Sequence, residues 1–374
     1  MTAYTSKSAT TQKMYVQNGL SGLRNLGNTC FMNSCMQILS HTSSLNLFLD
    51  EPGTDGLPAY ISKLSCDDNV DEMNMINEWD KVRQLLWKKN CVVTPTGFLH
   101  AMRRVAIKYK QTLFTGFSQN DVSEFLRFTL NAFHCGIKRE VSMNICGTSK
   151  SEHDTMAVKC YEMFKEEYSK AYSEIIPLFY GVQVTVISEA KNSSDGLIPG
   201  EQLSLRPEPC FLLSLPLPQG NKSTMGSINT SIKDCFDEYC RQELLDEENK
   251  WYNEDTKKKE VVYKRHMFWS LPEVLVIDVK RFNRNGTKIM KPLQLDMELS
   301  MAEFMVGYNK ENSNYELYGV CNHSGNCSGG HYTAHIKCAD SKWYLFNDTI
   351  VTEDKKFSGR DNVLGYTLFY KRVV

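Results

Sequence analysis

The chain is expected to adopt an α+β fold, with a helical first half and a β-rich second half. Three observations predict it. Apolar residues recur at helical spacing between Phe31 and Phe133. From Phe179 onward the apolar runs shorten to strand length, as in Val182–Ile187 and Val274–Val279, and turn residues punctuate them. The character changes once along the chain, with no internal repeat and no low-complexity tract.

Composition bounds the function. With 374 residues there is enough chain for a sizeable core, and 41% hydrophobic and 23% charged residues exclude wholesale disorder. A net charge of −1, from 43 basic and 44 acidic residues, gives no support to a nucleic-acid binder. No apolar run approaches the roughly 18 residues of a membrane helix. Thirteen cysteines are an odd count, which does not suit a disulfide framework. The polar start MTAYTSKSATTQKMY has no apolar signal core, so a reducing, intracellular compartment (cytoplasm or nucleus) is expected.

The elements follow in order. Residues 1–18 read as a flexible polar tail. After the Gly-punctuated segment Gly19–Thr29, the residues Phe31, Met32, Cys35, Ile38 and Leu39 mark a helix, with Asn28 or Thr29 as its cap. Residues 50–70 are loop-like. Ile76, Trp79, Val82, Leu85 and Leu86 form one helical stripe, and Val122, Phe125, Leu126, Thr129 and Phe133 another. Ser118 with Asp121 resembles a capping box for the second. Beyond Phe179, Lys191–Pro209 reads as loop, Ser231–Leu245 as a short helical stretch, and Asp246–Glu260 as a solvated loop or hairpin end. Glu273–Phe282 reads as a central strand, followed by strands at Tyr315–Val320, His331–Lys337, Trp343–Phe346 and Tyr366–Tyr370.

Two clusters carry chemistry. Cys30 falls in the first helical turn, where unpaired N–H groups and the helix dipole favour thiolate. Gly27 permits a tight turn before it, and Asn25 offers an amide to a developing oxyanion. Taken alone, such a cysteine is more often one more buried thiol, as Cys35 is expected to be. The second cluster runs from His323 through a Gly-rich loop to His331 and His335. If the His331 strand pairs with Trp343–Asp348, an amide or carboxylate at the far end, Asn347 or Asp348, returns to His331. That is the Cys…His…Asn order of papain-like thiol proteases. A metal reading of Cys321, His323, Cys327 and His331 competes, but the spacing fits no zinc signature. Likewise His331 and His335 lie about 13 Å apart on a strand.

These residues resemble a known family. Gly22-Leu-Arg-Asn-Leu-Gly-Asn-Thr-Cys30-Phe-Met-Asn-Ser is similar to the cysteine box of the ubiquitin-specific proteases, and Gly329-Gly330-His331-Tyr332-Thr-Ala with Trp343–Asp348 to their histidine box. Gln119-Asn-Asp121-Val-Ser-Glu124-Phe-Leu and Leu271-Pro…Lys280-Arg281-Phe282 are similar to two further motifs between them, in the same order. The resemblance covers about residues 20–372. It implies a papain-like right-hand architecture within one catalytic domain, 19–374, with a helical thumb at about 20–175 and β-rich fingers and palm at about 176–374. It also implies roles: Cys30 as nucleophile, His331 as base then acid, Asn347 as its orienter, Asn25 as oxyanion donor, with Asp348 assisting. Asp121 and Glu124 would meet a basic residue in the tail of ubiquitin, and Gly329, Gly330 and Tyr332 would line the tail channel. Cys321–Gly330 would be a loop closing over that tail, with Cys327 beside His331, and Arg281–Leu295 would carry a second such loop.

Many members bind zinc in the fingers through paired Cys-x-x-Cys motifs. None stands in Val182–Glu189 or Trp251–Lys264, and Cys235 and Cys240 are wrongly spaced, so no zinc and no other cofactor is expected. The implied activity is that of a monomeric deubiquitinating thiol isopeptidase acting on ubiquitinated proteins. A protease for another ubiquitin-like modifier and a catalytically weak ubiquitin-binding scaffold are the alternatives.

Overall fold

The computed structural model describes residues 18–50, 69–194, 196–218, 230–327 and 329–373. The expected tail and most of the 50–70 loop lie outside these residues.

Seven α-helices occupy the first half of the described residues: α1 (Cys30–Ser40), α2 (Ser43–Leu49), α3 (Val70–Lys88), α4 (Thr96–Lys108), α5 (Val122–Ile137), α6 (Glu152–Tyr168) and α7 (Ile175–Phe179). The α5 stripe is buried as its spacing requires, from Val122 through Phe125, Leu126 and Thr129 to Phe133. The α3 stripe differs at one position. Ile76, Trp79, Val82 and Leu86 are buried, but Leu85 is 50% exposed. At about 100° per residue, Leu85 sits half a turn round the helix from Ile76 and faces away from the core. Helix α1 is amphipathic only on paper, for all eleven of its residues are buried. Its Phe31 ring meets Phe125 of α5 edge-to-face at 5.2 Å. A helix enclosed on every side is a rigid platform for the cysteine at its start.

Both cap expectations need refinement. Asp121, rather than Ser118, caps α5: its carboxylate accepts the N–H groups of Ser123 at 2.8 Å and Glu124 at 3.0 Å. Thr29 occupies the N-cap position of α1, but its hydroxyl turns back to accept the Leu26 N–H.

Behind the helices lies a mixed sheet in the order Ile350–Glu353, Trp343–Asn347, Gly329–Lys337, Asn314–Asn326, Gly365–Arg372, Val274–Val279 and Leu212–Leu215, with Glu298–Ser300 paired alongside Asn314–Asn326. Val274–Val279 is the sixth of the seven, an interior strand paired on both sides, which suits its continuous apolar character. Within the Gly-rich stretch Cys321–Gly330, residues 321–326 and 329–330 are strand rather than loop. The strand Asn314–Asn326 runs on into it and pairs back onto Gly329–Lys337, Ser324 opposite His331. Small residues here let two strands lie close, which composition alone reads as loop.

A separate four-stranded sheet holds Gly196–Cys210, Gly181–Ser193, Val262–Ser270 and Glu243–Leu245 in that order. Lys191–Pro209, expected as loop, is mostly the first of these strands. It sits at the edge, paired on one side only, the position in a sheet that tolerates Pro199, Pro207 and Pro209. The Ser231–Leu245 stretch splits into helix α8 (Ile232–Tyr239), closed by a Ser231/Asp234 capping box, and the strand Glu243–Leu245. Asp246–Glu260 contains the small hairpin Trp251–Asn253 with Lys258–Glu260. Tyr239 donates its hydroxyl to Gln183 at 2.6 Å, and the Gln183 amide lies 3.1 Å from His266, so side chains tie α8 to this sheet. No disulfide joins any described cysteine, and Cys35, Cys160, Cys235, Cys240, Cys321 and Cys338 are buried. Among the described residues no helix is long and apolar enough to cross a membrane.

Candidate active site

Helix α1 starts at Cys30, as its position in the sequence requires. The turn before it uses two left-handed residues, Gly27 at φ 97° and Asn28 at φ 55°. The Asn25 side-chain oxygen closes that turn by accepting the N–H groups of Gly27 and Thr29, both at 3.1 Å. The Cys30 thiol itself is only 2% exposed. Burial pushes its pKa upward, against the pull of the Tyr332 backbone N–H and those of Phe31 and Cys30, and the Asp348 carboxylate also pushes it up. The helix start therefore acts as expected, but desolvation outweighs it and the resting sulfur holds its proton.

His331 and Asn347 come together across the hairpin of Gly329–Lys337 and Trp343–Asn347. The paired register runs from Lys337 opposite Trp343 to Ala334 opposite Phe346. Past Ala334 the strands part, and His331 Nε2 meets Asn347 Oδ1 at 2.7 Å. A side-chain carbonyl can only accept, so Nε2 carries the hydrogen and Nδ1 is left as the basic nitrogen. Asp348 sits in the two-residue turn after Asn347, at φ 50°. One of its oxygens accepts the Asn33 amide at 2.7 Å and the other the Asn25 amide at 3.0 Å. Its backbone carbonyl accepts the Leu23 N–H at 2.8 Å. Asp348 thus clamps the histidine hairpin to the segment that carries Cys30. The Asn25 amide, expected to face an oxyanion, has this carboxylate as its partner. Asn33 was readable as a polar position in an apolar helix, one turn beyond Cys30, yet its partner is 315 residues away.

The remaining site residues gather at the start of α5 and the tip of the histidine hairpin. Asp121 spends one oxygen as the helix cap, and the other accepts the Tyr366 hydroxyl at 2.6 Å. Glu124 is exposed on the same turn. Tyr332 is buried, with its ring against His323 and Tyr366. Gly329 and Gly330 lie against Gln119, whose Oε1 accepts the Gly330 N–H at 2.5 Å. The segment after Arg281 reaches the same place: Lys288 donates to the backbone carbonyl of His323, and Phe282 lies 5.7 Å from the His323 ring. Burial, then Lys288, lowers the His323 pKa to about 4, which keeps that imidazole neutral. Among the described residues no group of three or more His, Cys, Asp or Glu could hold a metal ion.

Beneath α5, Asp278 accepts hydroxyl hydrogen bonds from Ser123 at 2.9 Å and Ser214 at 3.1 Å. Burial, assisted by the nearby Asp121, pushes its pKa up to about 6 against those two hydroxyls. The folded chain then holds a proton that the unfolded chain has lost. This contribution to stability is full below the unfolded value and gone above about pH 6. Asp278→Asn is expected to stabilise the protein by up to about 3 kcal/mol at pH 8. The gain at pH 8 should exceed that at pH 5 by about 1 kcal/mol in urea titrations. An equal effect at both values would contradict the assignment.

An oriented imidazole, a thiol at a helix start and a carboxylate clamp between them form an arrangement suited to thiol-mediated acyl transfer. The family model for ubiquitin carboxyl-terminal hydrolase matches residues 21–370. Ubiquitin carboxyl-terminal hydrolase Usp2 of Drosophila melanogaster is 30% identical over 374 residues, covering 98% of this chain and 36% of that protein. Ubiquitin carboxyl-terminal hydrolase 2 of Homo sapiens is 30% identical over 363 residues, covering 94% of this chain and 55% of its own length. For the Gallus gallus protein of the same name, 30% identity extends over 95% of this chain and 94% of that one. A solved SAGA Ubp8/Sgf11/Sus1/Sgf73 DUB module bound to ubiquitin aldehyde superposes with a TM-score of 0.64 at 22% identity, covering 96% of this chain and 71% of that one. A variant of the module bound to monoubiquitin gives 0.65, again at 22% identity, with 96% and 70% coverage. The fold is thus the papain-like right-hand architecture implied by the motifs. With its motifs, fold and site in agreement, the chain belongs to the ubiquitin carboxyl-terminal hydrolase family.

Proposed function

We propose that the protein is an intracellular deubiquitinating thiol isopeptidase that cleaves after the C-terminal glycine of ubiquitin on protein conjugates. The observation that carries this reading is the 2.7 Å contact of His331 with Asn347, held beside the Cys30 helix by Asp348. His331 Nδ1 takes the thiol proton as Cys30 Sγ attacks the carbonyl carbon of the terminal glycine. The proton then passes to the leaving lysine amine, the amide C–N bond breaks and a thioester remains. His331 next takes a proton from water as its oxygen attacks the thioester, and returns it to the departing sulfur. Asn347 orients the ring. The Asn25 amide has two hydrogens: one lies on Asp348, and the second serves the oxyanion. Helices α1–α6, within about residues 20–175, act as the thumb and the β-rich remainder as fingers and palm, with the tail passing between them. Glu124 receives a basic tail residue, while Asp121 supports it from the cap position.

The raised Cys30 pKa fits an enzyme whose thiol is activated only when substrate and His331 are in place. Isopeptide-linked conjugates of ubiquitin and of ubiquitin-like modifiers, each incubated with the protein, test the reading by mass spectrometry. Release of intact ubiquitin ending in Gly-Gly is expected. Cleavage of another modifier in preference to ubiquitin would reassign the substrate, and cleavage of none would overturn the enzyme reading.

A further inference from the structure

The turn that presents Cys30 has two ends, and they lean opposite ways. At one end Asn28 donates to the Phe117 carbonyl at 2.9 Å, on the segment that leads into α5 and Glu124. At the other, Asn25 donates to the Asp348 carboxylate at 3.0 Å, in the turn that follows Asn347. The ubiquitin tail, received at Glu124, enters from the first side. Its scissile carbon stands at Cys30 and carries the acyl chain and the nitrogen in different directions. The leaving nitrogen, with the target protein attached, therefore lies over the second side. His331 must reach that nitrogen to protonate it, and Asn347 holds the ring on this side at 2.7 Å.

The second side is built as a ledge. Gly22–Leu23 pairs with Val92–Val93, the Arg24 N–H donates to the Val93 carbonyl at 2.9 Å, and the Leu23 N–H to the Asp348 carbonyl at 2.8 Å. Gly22 is pressed on Thr349, for a Cβ there would stand 2.4 Å from the Thr349 carbonyl oxygen. The segments 91–93, 22–24 and 348–350 are thus fixed to one another and to the catalytic groups. Their outward side chains leave apolar surface and positive charge unused. Ile350 is 60% exposed and Val92 47%. Arg24 is exposed, as are Lys88 and Lys89 just before Val92, and none of the three has an ion-pair partner among the described residues. The acids of the neighbouring hairpin are already engaged. Asp348 accepts the amides of Asn25 and Asn33, Glu353 lies 3.7 Å from Lys342, and Asp354 lies 3.0 Å from His335.

We propose that this ledge docks the stretch of target protein that flanks the ubiquitin-bearing lysine, and that it favours an acidic residue with an apolar neighbour. The occupant follows from the chemistry, since every isopeptide substrate brings its acceptor to this side of Cys30. Arg24, one residue before the oxyanion donor Asn25, reads the charge. Ile350, two residues beyond Asp348, takes the apolar contact. Neither touches the reacting atoms. This inference rests on the deubiquitinase reading and adds to it a preference among acceptors that the ubiquitin tail cannot supply.

Two conjugates test it in the full chain: ubiquitin joined through one lysine to peptides that share a nearby leucine and differ only in acidic or basic flanking residues. Diubiquitin serves as a folded acceptor, and ubiquitin aminomethylcoumarin as a substrate with no acceptor chain. At low salt, kcat/KM on the acidic conjugate is expected to exceed that on the basic one by about fivefold, and the gap should shrink as salt rises. Arg24→Glu should reverse the preference. Ile350→Ser should slow both peptide conjugates by about threefold. Coumarin release should be unchanged in both variants. Equal rates on the two conjugates, or a preference that survives Arg24→Glu, would overturn the ledge. Coumarin release that falls as much as peptide release would overturn it too, by placing the effect in the chemistry or the fold. Losses confined to diubiquitin would overturn the peptide assignment and give the ledge to a second ubiquitin. No release from any substrate by the wild-type chain would instead overturn the deubiquitinase reading.

Discussion

Replacing His331 with alanine is expected to lower kcat on ubiquitin conjugates by a factor of about 100 to 10,000, with little change in folding stability. The buried thiol has its pKa pushed up, so sulfur attack at neutral pH depends on a base to take the proton. His331 is oriented for that by Asn347 and by nothing else in its own strand. The second proton transfer, to the leaving amine, is lost with the same residue. Stability should be spared because His331 lies half-buried on the open edge of its strand, outside the apolar core. The measurement is the pH profile of kcat/KM. Wild type should show a base limb that the variant lacks, and added imidazole should restore part of the rate. A variant retaining more than a tenth of the activity would remove His331 from the mechanism.

The largest effect on stability should come from Arg281→Met. The guanidinium is fully buried, at 0% exposure, and donates to four backbone carbonyls: Gly365 at 2.7 Å, Lys291 and Asn362 at 2.9 Å, and Ile289 at 3.2 Å. Burial lowers its pKa to about 10. One side chain thus closes two segments, 289–291 and 362–365, over the sheet. Methionine fills the volume but leaves those carbonyls without a donor in a dry setting. Relief from burying a cation offsets part of that cost, and a net loss of about 3 to 5 kcal/mol is expected in urea denaturation. Lysine, a point charge with three donors, should recover only part of it. A loss under about 1 kcal/mol would show that water satisfies these carbonyls.

Much of this protein was legible in its sequence, for identifiable reasons. The stripe from Val122 to Phe133 specified a buried helix because five apolar or small positions share one face. A strand–turn–strand pattern returns an amide or carboxylate to His331, and the residue that meets it is Asn347, the one the motif resemblance implied. What failed depended on neighbours. Leu85 was placed in the core by apolarity, although its angle round the helix turns it outward. Lys191–Pro209 looked like loop because prolines mark turns, and only an edge position makes them compatible with a strand. Cys321–Gly330 looked like loop because glycines mark flexibility, whereas here they allow close pairing. At Cys30 the N–H groups of the helix start favour thiolate, but burial, which local sequence does not encode, outweighs them. Asp348 and Gln119 were visible as letters, yet their partners, Asn33 and Gly330, are set by tertiary contact alone.

Site-resolved covalent capture distinguishes which of the thirteen cysteines is the nucleophile. The full chain is incubated with ubiquitin bearing a C-terminal electrophile, digested, and the modified peptide sequenced by mass spectrometry. A single adduct on Cys30, abolished by Cys30→Ala, is expected. An adduct on an exposed thiol such as Cys91 or Cys327 that survives Cys30→Ala would contradict it, as would no adduct on the folded wild-type protein.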